Sequence, residues 1–182
     1  MSTSDPHVAH TLTPGQKSFF RVVNNPIKFK LFLLAKLPSA FFSGVRIRDV
    51  DPDRCAVTIP YKWFTKNPFR STYFACLSMA AEMSTGALAM AHIQGRKPSL
   101  SMLVVRLEAA YFKKATGRSL FICTDGSLIR KAVEEAIATG EAATVRACSI
   151  GTNEAGEVIA EFFITWSFKV KGGVKGTSYD NK

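Results

Sequence analysis

Hydrophobic and polar positions along the chain mark out one apolar helix, several strands and an N-terminal helical segment. Residues 71–91 (STYFACLSMAAEMSTGALAMA) are apolar nearly all round and carry a single charge, Glu82. Such a helix is buried in a protein core or in a bilayer. Its length suits a bilayer, but its five Ser and Thr side chains and its central carboxylate suit lipid poorly. The pattern therefore predicts a soluble core helix, capped by Ser71 or Thr72 and ended at a left-handed Gly95.

Strand patterns lie on both sides of this helix. Two short strands at 44–50 and 54–60 flank a turn of composition Asp-Pro-Asp. After the helix, a further set of elements is predicted: strands at 101–113, 118–124, 142–150 and 157–171, and a short exposed helix at 127–139. The last strand has a clean two-residue period, and the turn at 153–156 pairs it with the strand before it. The order predicts an α+β fold, with the apolar helix laid across the concave face of a curved antiparallel sheet.

The N-terminal segment carries two helix-start signals, Thr13 and Asn25, each followed by a proline. They predict two helical pieces within an extension over 16–38, bent at the second proline and ended by Pro38. The second piece is basic, and its apolar residues form one stripe at helical spacing: Ile27, Leu31 and Leu34. We expect this stripe to pack on its own domain, and contact with a membrane surface or a partner protein is the alternative.

Length and composition suit one globular domain, since 47% of the 182 residues are hydrophobic and 21% are charged. We assign it to 16–172, between flexible tails at 1–15 and 173–182. Four widely spaced cysteines without a C-x-x-C predict reduced core side chains rather than a metal site. The first residues lack the pattern of a signal peptide, so the cytoplasm is the expected location.

The net charge of +10 suits a polyanionic partner, whether nucleic acid, an anionic membrane surface or a phosphate-bearing ligand. Nucleic acid is disfavoured, because the chain has no helix-turn-helix, zinc finger or RNP-like aromatic strand. Charge alone does not choose between a membrane surface and a phosphate-bearing ligand.

The order of elements around a buried helix resembles the hotdog fold, and the resemblance covers roughly residues 40–171. The run NPFRSTYFACLSMAAE is similar to the PaaI-like branch of acyl-CoA thioesterases. With its continuation MSTG and the later ITWSFK, it resembles an uncharacterised, thioesterase-like group within the superfamily. The branch carries an Asn, then a His-Gly-Gly or Phe-Gly-Gly run, then an Asp or Glu within the helix. Here Asn67 lies fifteen residues before Glu82, while Tyr73, Phe74 and Ala75 stand where the family has its run.

The resemblance implies thioester hydrolysis in paired subunits, with no cofactor beyond the CoA thioester that is the substrate, and no metal. The chemistry fits these residue types. The free amides of Phe74 and Ala75 at the helix N-terminus, with the Asn67 side chain, would stabilise an oxyanion. Burial raises the pKa of a carboxylate, which suits Glu82 as general base or nucleophile.

Spacing places a condition on this site. Glu82 lies eight residues after Phe74, or about 12 Å along one helix, a gap that a single water does not bridge. The helix start of one chain must therefore meet the Glu82 of another, in a homodimer or a dimer of dimers. The remaining candidates are side chains that could assist the acid, Thr72, Tyr73, Ser99 and Ser101, and cations that could bind CoA phosphates, Lys66, Arg70, Arg96 and Lys97.

Other interpretations stay open. The missing glycine pair favours a non-catalytic module that binds acyl-CoA or fatty acyl groups and has lost turnover. Glu82 could instead join a buried network with Arg106 and Glu108, and Asn67 could be a turn residue before Pro68. The acyl carrier, CoA or carrier protein, is not decided by these residues.

Overall fold

A computed structural model of the protein describes residues 12–172. Three helices come first: α1 (Pro14–Val23), α2 (Pro26–Lys36) and α3 (Pro38–Ser43). Strands β1 (Arg46–Val50) and β2 (Cys55–Ile59) follow, then a short 3-10 turn (Trp63–Thr65) and the central helix α4 (Phe74–Ile93). The rest of the domain is β3 (Leu100–Tyr111), β4 (Ser119–Cys123), α5 (Gly126–Thr139), β5 (Ala143–Thr152) and β6 (Val158–Val170).

The six strands form one antiparallel sheet in the order β1-β2-β4-β5-β6-β3. Helix α4 contacts every strand of this sheet. The alternation predicted for β6 is confirmed, since Phe162, Ile164 and Phe168 are fully buried. The α+β hotdog architecture expected from the sequence is therefore the observed one, with N-terminal helices added.

Local chemistry explains the ends of the N-terminal helices. Thr13 caps α1 through a capping box with Gln16, and the Asn25 side chain accepts hydrogen bonds from two amides of the first turn of α2. Pro38 does not end the helical region as expected but opens α3, because proline is suited to the first turn of a helix. Helix α1 begins at Pro14, inside the segment assigned to the tail. The remaining predicted tail residues, 1–11 and 173–182, lie outside the described part of the chain.

The apolar stripe of α2 faces outward, contrary to the expectation that it packs on the domain. Ile27 is 71% exposed and Leu31 is 62% exposed, whereas Phe29 and Leu33 are buried. Helix α2 has apolar residues on two faces. The face that carries the Phe29 ring buries a large aromatic surface, and this is the face that docks.

Helix α5 also differs from its expected exposed character. Ile129 and Val133 are fully buried, and the helix packs against α4 and β5. The four cysteines are free, as predicted, but Cys55 and Cys123 are direct cross-strand neighbours on β2 and β4. Burial raises the pKa of both thiols, which keeps them protonated and unreactive.

In the described chain, α4 is the one helix long and apolar enough to cross a membrane. Buried residues make up 61% of its most apolar window, as in the core helix of a soluble domain. Gly95, just beyond it, has the predicted left-handed φ of 72°. It serves a turn after the helix rather than the cap itself, because the cap residue Gln94 is extended and the Arg96 amide donates to Ile93 O at 3.2 Å.

Candidate functional site

Hydrogen bonds of Asn67 hold the turn in the loop before α4. Its Oδ1 accepts hydrogen bonds from the Phe69 amide at 3.0 Å and from the Ser71 amide at 3.2 Å. The Asn67 amide donates to Ser71 O at 2.8 Å and completes the turn. Asn67 is therefore a turn residue, as one interpretation allowed, but of its side-chain amide the turn uses only the oxygen. Its Nδ2 donates no hydrogen bond within residues 12–172 and is available to a ligand.

The first amides of α4 are uncapped. Neither of the predicted caps serves: the Ser71 hydroxyl donates to Asn67 Oδ1 at 3.2 Å and the Thr72 hydroxyl donates to Ala115 O at 3.1 Å. The observed N-cap residue, Tyr73, makes no side-chain cap bond. The Cys76 amide is the first to find a partner, Tyr73 O at 2.9 Å. The amides of Phe74 and Ala75 have no acceptor in the described structure, so they carry the positive end of the helix dipole.

A cleft of about 470 Å³ lies between the start of α4 and the end of β3. Its lining contains Asn67 and Phe74 from the helix side, and Tyr111, Lys113 and Lys114 from the strand side. The two sides are held together because the Thr72 amide also donates to the backbone beyond β3. The structure thus brings together three of the predicted site residues, Asn67, Thr72 and Phe74.

The two lysines at this cleft were not among the sequence candidates. Lys113 is bound to Glu157, with Nζ–Oε1 at 2.6 Å, whereas Lys114 makes no ion pair with any described carboxylate. No local motif identifies Lys114, because its place beside Asn67 depends on the long-range pairing of the loop with the end of β3.

Glu82 lies two turns further along α4 and does not line the cleft. It is half-buried, and burial raises the pKa of its carboxyl group. The carboxylate makes no hydrogen bond or ion pair with the described residues. A Cβ on Gly86 would lie 3.1 Å from Glu82 Oε1 and 3.2 Å from the Trp166 ring, so glycine at that position leaves room for the acid.

The buried network considered for Glu82 does not form. Glu108 instead accepts from Arg106 at 3.1 Å and from Arg146 at 3.0 Å, and all three side chains are exposed. Arg146 lies over the Phe163 ring, which the strand alternation places on the face of the sheet opposite Ile164 and α4. Glu82 is thus an unpaired acid in an apolar setting.

One face of α4 is left open by the domain itself. Residues that are not fully buried recur at every fourth position of α4, each about 40° further round the helix than the one before, so that successive members of the row are neighbours: Phe74, Ser78, Glu82, Gly86 and Met90. Beside it, β3 is an edge strand of the sheet with exposed apolar residues at 103, 105 and 107. The helix start and Glu82 therefore share a face but remain about 12 Å apart along it.

The predicted assisting residues are mostly engaged elsewhere. The hydroxyl of Thr72 is bonded to the backbone, and Ser101 Oγ donates to Lys169 O at 3.1 Å. Ser99 and Ser101 lie at the start of β3, whereas it is the end of β3 that borders the cleft. Tyr73 is exposed and packs edge-on against the Phe74 ring, with centroids 4.8 Å apart.

The predicted phosphate-binding cations divide between the two ends of α4. Lys66 and Arg70 are exposed in the loop before the helix, close to Asn67. Lys97 is exposed beyond the far end of the helix, where Arg96 is held by His92 O at 3.1 Å and by Glu134 at 3.7 Å. Within one chain only the first pair is near the cleft.

Comparison with known proteins agrees with this architecture. Residues 27–167 match the model of a family described as a domain of unknown function (DUF4442). No curated protein matches the chain.

Solved structures of several bacterial proteins have the same fold. A Pseudomonas aeruginosa protein described as a probable thioesterase superposes with a TM-score of 0.68 at 22% identity, covering 80% of this chain and 97% of that one. A thioesterase of Haemophilus influenzae gives 0.58 at 14% identity, covering 80% and 92%. A thioesterase family protein from Silicibacter pomeroyi gives 0.57 at 15% identity, covering 79% and 98%. At these identities the likeness establishes the fold.

Proposed function

The chain belongs to the family described as a domain of unknown function (DUF4442), and we propose that it hydrolyses acyl-CoA or acyl-carrier thioesters at a site shared by two copies. Its fold is thioesterase-like, and three structural neighbours are described as thioesterases, one of them as a probable one. The narrower PaaI-like assignment stays a prediction, as does the cytoplasmic location.

The observation that carries the proposal is a set of polar groups without partners on one face of α4. Phe74, whose amide is unpaired, and Asn67, whose Nδ2 is unpaired, both line one cleft, and the unpaired Ala75 amide is the next one along the helix start. Glu82 is an unpaired acid whose pKa is raised by burial. Such unsatisfied groups cost stability, so their presence together favours a functional role. They are the donors and the base that thioester hydrolysis needs.

A pair of α4 helices packed antiparallel would join the two halves. If a two-fold axis passes near Ser78, midway between positions 74 and 82, the helix start of one copy lies opposite Glu82 of the other. The open face of α4 and the unpaired edge of β3 are adjacent surfaces that this pairing would cover. The site would then be incomplete in a single chain.

In the proposed reaction, Glu82 of one copy accepts a proton from a water molecule while the water oxygen attacks the thioester carbonyl carbon. The negative charge that develops on the carbonyl oxygen is stabilised by the amides of Phe74 and Ala75 and by Asn67 of the other copy. Collapse of this intermediate breaks the carbon–sulfur bond. The leaving CoA sulfur takes the proton back from Glu82, which yields a free thiol and a carboxylic acid.

One observation favours a second function, a module that binds acyl-CoA or fatty acyl groups without hydrolysis. Phe74 stands where the resembling family has a glycine, and its exposed ring lies at the helix start together with that of Tyr73. These rings narrow the approach of a carbonyl to the two amides. An acyl chain could then bind without reaching the oxyanion donors.

Subunit complementation tests the shared site directly. Glu82→Gln removes the base, and Asn67→Asp keeps the Oδ1 acceptor that holds the loop but removes the amide donor. Each variant alone is expected to release little CoA from a series of acyl-CoA substrates. An equimolar mixture that has exchanged subunits at random should regain about a quarter of wild-type activity, because about half of its dimers are mixed and one of the two sites in each mixed dimer carries neither change.

A mixture of Glu82→Gln with Glu82→Ala is the matched control and should regain nothing. Failure of the first mixture to regain activity would place the whole site within one chain and refute the shared arrangement. Wild-type protein that binds acyl-CoA but releases no CoA would leave the binding module as the function.

A further inference from the structure

The outward face of α2 is an apolar ridge with lysines on both sides. At 100° per residue, Ile27, Leu31 and Leu34 fall within about 60° of one another, opposite the buried Phe29. Lys28 lies on one side of this ridge and Lys30 on the other. Helix α2 thus presents one of its two apolar faces to the outside and packs the other, with Phe29, on its own domain.

The apolar surface continues from α2 across the next two elements. Lys30 and Phe42 line one cavity of about 300 Å³, together with Lys62. Phe42 lies beside Phe64, with ring centroids 6.2 Å apart, and Phe64 lies beside Trp63 at 6.5 Å. Trp63 is 79% exposed. We call these exposed side chains the N-terminal apolar patch: Ile27, Leu31, Leu34, Leu37, Phe42, Trp63 and Phe64.

The charges around this patch have a single sign. Residues 12–48 contain seven Lys and Arg and no Asp or Glu, and residues 55–81 contain three and none. Within residues 12–172, the lysines beside the ridge and Lys62 make no ion pair. Arg46, Arg48, Lys62 and Arg118 also line a common cavity next to it. The segments that build the patch are therefore strongly basic, and four cations lie beside it.

We infer that the N-terminal apolar patch docks on a bilayer containing anionic lipids. Basic amphipathic helices insert their apolar face at the headgroup boundary, and surrounding Lys and Arg are attracted to anionic headgroups. Exposed Trp and Phe side chains are favoured at that same depth. On such a bilayer, the apolar ridge would insert at the headgroup boundary and the cations would contact anionic headgroups.

Charge argues against the other occupants. A second copy seated on this patch by two-fold symmetry would bring the same acid-free surface against itself, and like charges would repel. A nucleic acid would engage the cations but leave the ridge of α2 exposed to water. The inference is independent of the proposed hydrolysis, because it rests on residues outside the cleft and is tested without a substrate.

The test is co-sedimentation of the full-length protein with vesicles of phosphatidylcholine mixed with phosphatidylglycerol, and with vesicles of pure phosphatidylcholine. We expect binding to the mixed vesicles, weaker binding to the neutral ones, and release by salt. The emission of Trp63 should shift to the blue on binding. Trp63→Phe should abolish that shift, because the remaining Trp166 is buried in the core.

Matched variants separate the patch from general surface effects. Ile27→Ser with Leu31→Ser should weaken vesicle binding at least about tenfold, whereas Leu128→Ser, an equally apolar exposed side chain on α5, should leave it unchanged. Lys28→Glu with Lys30→Glu should abolish the preference for anionic vesicles, and Lys131→Glu should not. All these side chains are exposed, and circular dichroism checks that each variant is folded.

The inference would be overturned if the protein did not bind the mixed vesicles. It would also be overturned if the Ile27→Ser, Leu31→Ser variant bound them as well as the wild type does. If that variant also changed its oligomeric state, the patch would be assigned to a contact between copies.

Discussion

The two ends of α4 are both polar, but only one of them is satisfied. At the C-terminal end, His92 Nε2 donates to Pro52 O at 2.8 Å, and Gln16 Nε2 approaches His92 Nδ1 at 3.5 Å. Arg96 is likewise held by a backbone carbonyl and by Glu134. At the N-terminal end, the first two amides and the Asn67 Nδ2 have no partner in the described structure. Paired polar groups hold the fold together, whereas unpaired ones at a cleft are available to a ligand.

This difference predicts that changes at the open face affect activity and changes at the sealed end affect stability. The largest expected effect is that of Glu82→Gln, which keeps the size of the side chain but removes the base. We expect kcat/KM for acyl-CoA hydrolysis to fall about 10²- to 10⁴-fold. The free energy of unfolding should not fall, because a desolvated carboxyl group without a partner is replaced by a neutral amide.

The measurement pairs CoA release with denaturant unfolding of the same preparations. A variant that lost both activity and stability would mean that Glu82 holds the core together, and the contrast between the two ends of α4 would disappear.

One introduced cysteine can test where the open faces of two copies meet. Ser78 lies midway between the two proposed halves of the site, and its hydroxyl donates only to Phe74 O in its own helix. Ser78→Cys should therefore form a disulfide-linked dimer under mild oxidation, with most of the protein shifted on a non-reducing gel. Met90→Cys, exposed on the same helix but about three turns from the proposed axis, is the control and should remain mainly uncrosslinked.

At the sealed end, His92→Phe should cost stability and spare chemistry. The replacement keeps an aromatic ring but leaves Pro52 O and the Gln16 side chain without their partner, at a cost of about 1–3 kcal/mol in the free energy of unfolding. The kcat of the folded variant should match that of the wild type. Gln94→Ala, an exposed change at the same end, should alter neither quantity. A fall in kcat with His92→Phe would place chemistry at both ends.

Much of the scaffold could be predicted from the sequence, because buried strands and helices have characteristic patterns of apolar residues. The alternation in β6 and the nearly uniform apolar composition of α4 each allow one packing solution, and both predictions are confirmed. The prediction that the apolar stripe of α2 packs on the domain was wrong, because the pattern there allows more than one packing solution. Helix α2 is apolar on two faces, and periodicity alone does not say which face docks; the domain takes Phe29 and leaves Ile27 outside.

The candidate site could be predicted less completely, because its parts meet through long-range pairing. Asn67 and the start of α4 are close in sequence, so their shared cleft follows from local spacing. The place of Lys114 depends on where β3 ends, and the space around Glu82 depends on Gly86 facing Trp166 across the core. Neither leaves a signal in the neighbouring sequence. The open face of α4 also could not be predicted, because a helix that is apolar all round gives no indication of which side its own domain leaves uncovered.

The pH dependence of activity should follow the open face. Burial raises the pKa of Glu82 above its usual 4.5, and a general base acts in its ionised form. The rate of CoA release should therefore rise with pH through the raised pKa of this group. The residual activity of Glu82→Gln should lack that rise. A rise that persists unchanged in Glu82→Gln would assign the base to another group.

The smallest effect expected is a pair of opposite pH dependences in stability. Burial lowers the pKa of His92 below 6.5, so its contribution is present above that pH and is lost as the pH falls through the region below it. Glu82 acts in the other direction: its folded pKa is raised above 4.5, so stability declines as the pH rises from that value toward the folded pKa. Unfolding free energies of the wild type, His92→Phe and Glu82→Gln, measured across this range, separate the two contributions. His92→Phe should flatten the acid side of the profile and Glu82→Gln should remove the decline. Two profiles that change in the same direction would show that the ends of α4 titrate as one unit, in contradiction to their separate hydrogen-bonding.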